Sequence, residues 1–183
     1  MTEEASLFPP GSLPYPRPQR NSDSVIRAAV EDILPDVMVW AGDGDRDVLR
    51  DDLVASFKLD RDTYGTARHL EQERFWGDVD DSLLDILSRI NVTGHYDRAV
   101  EKWVAENAIK PTHVIGDRVR FYRAHRLNGE PAGLEYAGII DRIDAKRAEY
   151  GISIGERNSW CVVRFEHVIG HADEDAPLGE QTK

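Results

Sequence analysis

The sequence predicts an α+β protein in which a helical region precedes a small β-barrel. Two observations carry that expectation. Between residues 22 and 110 the apolar side chains recur with a helical period. From 111 to 171 they fall in short β-branched and aromatic runs separated by turn residues. The change comes at Pro111, and helices followed by strands is the segregated α+β arrangement. Residues 1–21 read as an extended Pro-rich arm and residues 172–183 as an acidic, flexible tail.

The arm holds Pro9, Pro10, Pro14, Pro16 and Pro18, and proline fixes its own φ while biasing its predecessor to extended geometry. A PxxP-type ligand with Arg17 beside it is one reading of this stretch. A terminal segment lying along the surface is the simpler one. Ser22 or Asp23 can cap a first helix carrying Val25, Ile26, Ala29, Val30 and Ile33, which is expected to stop before Pro35. The following VMVW reads as a strand or a buried turn. A second helix carries Leu49, Leu53, Val54 and Phe57, and a third runs roughly from Thr66 to Trp76. The fourth has Asp78 as its cap and Val79, Leu83, Leu84, Leu87 and Ile90 on one stripe. Gly94 is expected to break the chain before a fifth stripe of Tyr96, Ala99, Val100, Trp103 and Val104. Leu83, Leu87, Val100 and Trp103 should pack together.

Beyond Pro111, VIGDRVRFYRA, EYAGIIDRID, EYGISIG and SWCVVRFEHVIG read as four or five strands in about 60 residues. So many short strands in so little chain suit a closed barrel, because closure removes exposed edges. Val119, Ile139 and Val163 are the expected filling. Alternation points Val119 and Phe121 inward and Arg118, Arg120 and Tyr122 outward. Cys161 is expected inside with Val163 and Phe165 and therefore inert.

Charge is unevenly distributed. The net charge is −11, of which residues 1–110 contribute −9 from 13 basic and 22 acidic residues. That excess argues against phosphate binding by the first part, since such binding depends on Lys and Arg neutralising phosphates. Residues 111–171 carry +1 and the tail −3. A single cysteine excludes an internal disulfide and any multi-cysteine zinc site, and is in keeping with a reducing cytoplasm. The N-terminus lacks a basic start and an apolar core of the secretory kind, and no apolar run reaches membrane-spanning length. A cytoplasmic protein is expected.

The densest cluster is WAGDGDRDVLRDDL, with Asp43, Asp45, Asp47, Asp51 and Asp52. As an EF-hand loop counted from Asp43 it fails, because Val48 stands where the turn glycine should be and Val54 where the bidentate glutamate should be. The local reading is a helix start. Asp43 or Asp45 caps, Asp47 sits in the first turn, and Asp51 and Asp52 fall on the polar face near Arg46 and Arg50. Alternatively, such a row of carboxylates can stand in for phosphates and capture a basic DNA-binding protein.

No GxGxxG, P-loop or HExxH motif occurs, and no serine or cysteine stands in a nucleophile elbow. No catalytic, cofactor-binding or metal-ligating residue is therefore assigned. His167 and His171 are four apart, but Ile169-Gly170 makes a helix there doubtful and weakens a zinc reading. His95 and Asp97 lie near the start of the fifth helix, where Thr93 or His95 could cap. The outward row of Arg118, Arg120 and Tyr122 could stack on bases or grip phosphates, or simply pair with Glu135, Asp141 or Glu166.

The order GDRVRFYR, HRL, YAGIIDRI and SWCVVRFEHVIG resembles an SH3-like small barrel. In particular it is similar to the C-terminal barrel of the nitrile hydratase β subunit and the related thiocyanate hydrolase subunit. Helices precede the barrel there too, one opening with a Tyr-Tyr-x-x-Trp pattern whose nearest match here is HYDRAVEKW. The resemblance implies an accessory subunit of a hydro-lyase. Arg126 would support a cobalt or iron centre held by the partner subunit, and this chain would bind no metal itself. Where that family has Arg-Gly before its second strand, this chain has Tyr136-Ala137-Gly138.

Three functions follow as expectations. The first is a non-catalytic protein-binding or adaptor role in a heteromeric complex, with Arg118, Arg120, Tyr122 and Arg126 as partner-facing candidates. The second is the accessory subunit. The third is a nucleic-acid-related protein or acidic DNA mimic.

Overall fold

The computed structural model describes residues 16–57, 62–77, 79–124, 131–155, 159–173 and 179–181. Asp78 and Arg126 lie outside these residues. The chain divides into two compact units. One is Pro18–Val100. The other is Glu101–Lys183 together with the N-terminal segment that ends at Arg17. The expected boundary at Pro111 therefore differs from this division, which falls within a helix.

The first unit is helical: α1 (Asp23–Ala41), α2 (Arg46–Phe57), α3 (Thr63–Glu73), α4 (Asp81–Ser88) and the start of α5 (Val92–Glu106). Helix α1 does not stop before Pro35 but runs through it, and VMVW is its last turn. The apolar positions explain why. Val30, Ile33, Leu34 and Val37 continue one helical stripe and are almost wholly buried, while Pro35 is exposed. On that face the carbonyl that loses its partner can bond to water, and burial of the opposite face outweighs the local cost of proline.

The cap of α4 is Asp80, which accepts the Leu83 N–H at 2.9 Å. Asp62 caps α3 in the same way through the Gly65 N–H. Gly94 does not break the chain. It lies in the first turn of α5, where its N–H donates to Asn91 Oδ1 at 2.8 Å, so Asn91, rather than Thr93 or His95, caps this helix. Leu83 and Leu87 enter a core with Ile26, Val30, Leu34, Val37, Leu53 and Leu70. Val100 and Trp103 are buried but lie outside that cluster.

In the second unit, strands β1 (Arg118–Ala124), β2 (Pro131–Asp144), β3 (Glu149–Ile154), β4 (Ser159–Arg164), β5 (Val168–His171) and β6 (Gly179–Gln181) form one antiparallel sheet. Its order is β4-β3-β2-β1-β5, with β6 paired to the N-terminal half of β2. Thus part of the expected tail is a strand. A 3-10 turn, Phe165–His167, separates β4 from β5. Among the described residues β4 and β5 do not pair, so the sheet's hydrogen bonding does not close.

The core of this unit is Val119, Phe121, Ile140, Tyr150, Ile152 and Val163. Ile140 takes the place expected of Ile139. Val119 pairs with Gly138 and Phe121 with Tyr136, which puts Tyr136, Gly138 and Ile140 on the inner face and leaves Ile139 half-buried. A register shift between Ile140 and Arg142 then returns Ile143 to the core side. Cys161 packs half-buried against the same cluster.

Candidate functional site

The acidic segment is a helix start. Asp45 Oδ1 accepts the N–H groups of Asp47, at 2.8 Å, and Val48, at 3.2 Å. Asp47 pairs with Arg50 at 2.8 Å, and Asp51 with Arg27 at 2.9 Å. Hydrogen bonds from Arg27 hold the Asp51 carboxyl below the usual range for aspartate. Asp52 does something the sequence does not announce: it accepts the Trp76 indole N–H at 3.0 Å and lies 3.5 Å from Arg74. Trp76 stacks on Trp40 with centroids 5.9 Å apart, and the Trp40 indole donates to Asp80. Four of the five carboxylates are thus committed within the helical unit, and Asp43 has no such tie among the described residues.

The arginine row on β1 is likewise engaged. Arg120 donates to Glu135 Oε1 at 3.2 Å and to the His171 carbonyl at 3.3 Å, while Arg118 and Tyr122 are half-buried. Asp141 accepts instead from the Ser153 hydroxyl, and Glu166 faces Arg17. Arg17 is the least expected member of this unit. It is 6% exposed. Its guanidinium donates to the carbonyls of Arg147 (2.6 Å) and Ala148 (3.4 Å), pairs with Glu149 at 3.1 Å and Glu166 at 3.4 Å, and lies 5.8 Å from the Trp103 ring centroid. The arm's arginine fastens it to the β2–β3 turn. Burial pushes the Glu149 carboxyl up, and Arg17 pulls it part of the way back.

On the outer face of β2, β3 and β4 stands a patch that the sequence reading passed over. Trp160 is 64% exposed and Val162 45%, although both lie in a strand whose inner neighbours Cys161 and Val163 face the core. Arg142 is exposed beside them. Its side chain lies across Gly151, where a Cβ would come within 3.2 Å of it, and its guanidinium sits 5.9 Å from the Trp160 ring centroid. Beside this patch, the outer edge of β4 carries no paired strand among the described residues. Period-2 alternation in SWCVVRF holds the signal: if Cys161 and Val163 go in, Trp160 and Val162 come out.

A second group was also missed. His113, Asp117 and His171 bring their donor atoms within 4.8 Å of one another. His171, expected beside His167, is carried to this group by the pairing of β5 with β1, in which it stands opposite Val119. His113 and Asp117 come from the turn before β1, where Asp117 Oδ2 accepts the Val114 N–H at 2.8 Å. His95 is placed elsewhere, 2.7 Å from Asp32. Ser56 and His69 form a serine–histidine pair at 3.0 Å, but Ser56 is fully buried and its hydroxyl also bonds the Asp52 carbonyl, so it is no accessible nucleophile.

Comparison with protein families, curated proteins and solved structures finds no match for this chain. No described helix is long and apolar enough to cross a membrane.

Proposed function

We propose that the chain is a non-catalytic protein-binding module that works in a heteromeric complex, with the β4 face as its contact surface. The observation that carries this is Trp160, an indole exposed on a strand edge with Arg142 and Val162 around it. Tryptophan and arginine are the side chains that most often dominate protein–protein binding energy, and an exposed strand edge offers a partner main-chain hydrogen bonds. The strand order supports an SH3-like barrel as the framework, since a 3-10 turn precedes β5, which returns to pair with β1.

The nucleic-acid reading has less support, because Arg120 is already paired with Glu135 and the acidic segment is spent on caps, ion pairs and a tryptophan. The accessory-subunit reading rests on strand order and motif sequence. The test is affinity purification of the tagged chain from its native host after nuclease treatment, wild type beside Trp160→Ala, with mass spectrometry and metal analysis. A stoichiometric partner that Trp160→Ala loses supports the proposal. A partner retained by Trp160→Ala contradicts it, and cobalt or iron in that partner favours the accessory subunit.

A further inference from the structure

We propose that His113, Asp117 and His171 bind a divalent transition-metal ion of the zinc type. The three donor atoms lie within 4.8 Å of one another, although His171 is more than fifty residues from the other two. Their convergence is built into the fold. The turn that ends at Asp117 is closed by the Asp117 N–H donating to the Val114 carbonyl, and is tied to β2 where the Gly116 N–H donates to the Ile140 carbonyl and the Ile140 N–H donates to the Asp117 carbonyl. The far side is fixed where the Ala172 N–H donates to the Arg118 carbonyl, just after His171.

The group has an unmet need that a cation would satisfy. The His113 side chain is only 11% exposed, and its Nδ1 is buried without a hydrogen-bond partner, 3.7 Å from Asp117 Oδ2. Buried polar atoms are rarely left so. The His113 and His171 rings meet edge to face with centroids 4.8 Å apart and no hydrogen bond between them.

Supporting contacts of the kind that orient ligands are present. Val114 N–H holds the Asp117 carboxylate, and the backbone N–H of His113 donates at 3.1 Å to the hydroxyl of the fully buried Tyr150, which fixes the main chain that carries the imidazole. Two imidazoles and one carboxylate are donors for zinc and its neighbours rather than for magnesium or calcium, which take oxygen. Tetrahedral zinc at about 2.1 Å from each ligand spaces its donors about 3.4 Å apart. The group must therefore contract, and exposed His171 is the side chain with room to move. Three protein ligands leave a fourth position open to water or to a ligand from a partner.

The test is isothermal titration of zinc chloride into the full chain after chelator treatment, with His171→Ala and Asp117→Asn alongside and cobalt(II) absorption as a second probe. Stoichiometric uptake by wild type, weakened about 100-fold or more in His171→Ala, supports the site. Because His171 is exposed, that variant tests binding without disturbing the core, and circular dichroism checks that it folds. No stoichiometric uptake by wild type overturns the proposal. So does uptake that both variants retain, which would assign the ion to other side chains.

Discussion

Burying a guanidinium costs several kcal/mol unless its partners come with it, and Arg17 brings two carboxylates, two carbonyls and an indole face. Removing it leaves Glu149 and Glu166 short of a cation, so Arg17→Met should cost about 3 kcal/mol in urea unfolding. The loss should depend on pH. Glu149 already binds its proton more tightly in the folded chain than in the unfolded one, and loss of Arg17 pushes its carboxyl further up. Stability then falls as pH rises from the unfolded glutamate value to the raised folded one. The deficit of the variant should be smallest below about pH 4 and grow toward neutrality; a deficit independent of pH would contradict this account of Glu149. The aspartates give a plainer contrast. Asp45→Ala should cost about 1 kcal/mol as a lost cap, and Asp43→Ala much less. The Asp45 cap was readable in the sequence because it depends on neighbours within three residues, whereas the caps of α4 and α5 fall on Asp80 and Asn91, a few residues before or after the ones expected. The tie of Asp52 to Trp76 was not readable, because it joins positions 24 apart.

The helices were readable where apolar period and cap agreed, and misread where one strong local signal was allowed to decide. Pro35 and Gly94 are such signals. Each is tolerated, Pro35 because it faces solvent within a stripe that stays buried, and Gly94 because it stands in a first turn held by Asn91. In the strands the uncertainty was one of phase. The Ile139–Ile140 doublet suits either alternation, and only pairing with β1 decides between them. That pairing also explains Gly138. A Cβ there would lie 2.6 Å from the Ser153 carbonyl oxygen and meet Ile152 as well, and backbone cannot step aside as a flexible side chain can. Gly138→Ala should therefore destabilise the strand unit by about 2–3 kcal/mol, seen as a lower urea midpoint at unchanged slope. A midpoint equal to wild type would mean that β2 and β3 sit further apart than described.

Taken whole, the chain shows its α+β organisation plainly in sequence and its candidate contacts hardly at all. The helical and strand segments differ in period, which is a local property. The β4 patch depends on which strand ends the sheet, and the histidine–carboxylate group depends on β5 returning to β1. Alternation tells which β4 side chains face outward, but neither the edge position of β4 nor the convergence of His171 on His113 and Asp117 follows from spacing. Of the partner-facing residues expected from sequence, Arg118, Arg120 and Tyr122 lie on β1, an internal strand whose Arg120 is paired with Glu135, whereas the exposed tryptophan lies on an edge strand. Charge points the same way. In the acidic segment Asp45, Asp47, Asp51 and Asp52 are engaged by a cap, ion pairs and an indole of their own unit, whereas the β4 face offers an apolar contact with a single arginine.

The central claim is that a protein partner meets the β4 face, and site-specific photo-crosslinking in the native host tests it most directly. A benzophenone side chain placed at Val162, and in separate chains at Tyr122 and Val48, samples that face, the β1 arginine row and the acidic helix start. The account predicts a discrete protein adduct from position 162 and none from the other two. A discrete adduct from position 122 or 48 with none from 162 would contradict it, and would return the contact to the arginine row or to the acidic helix.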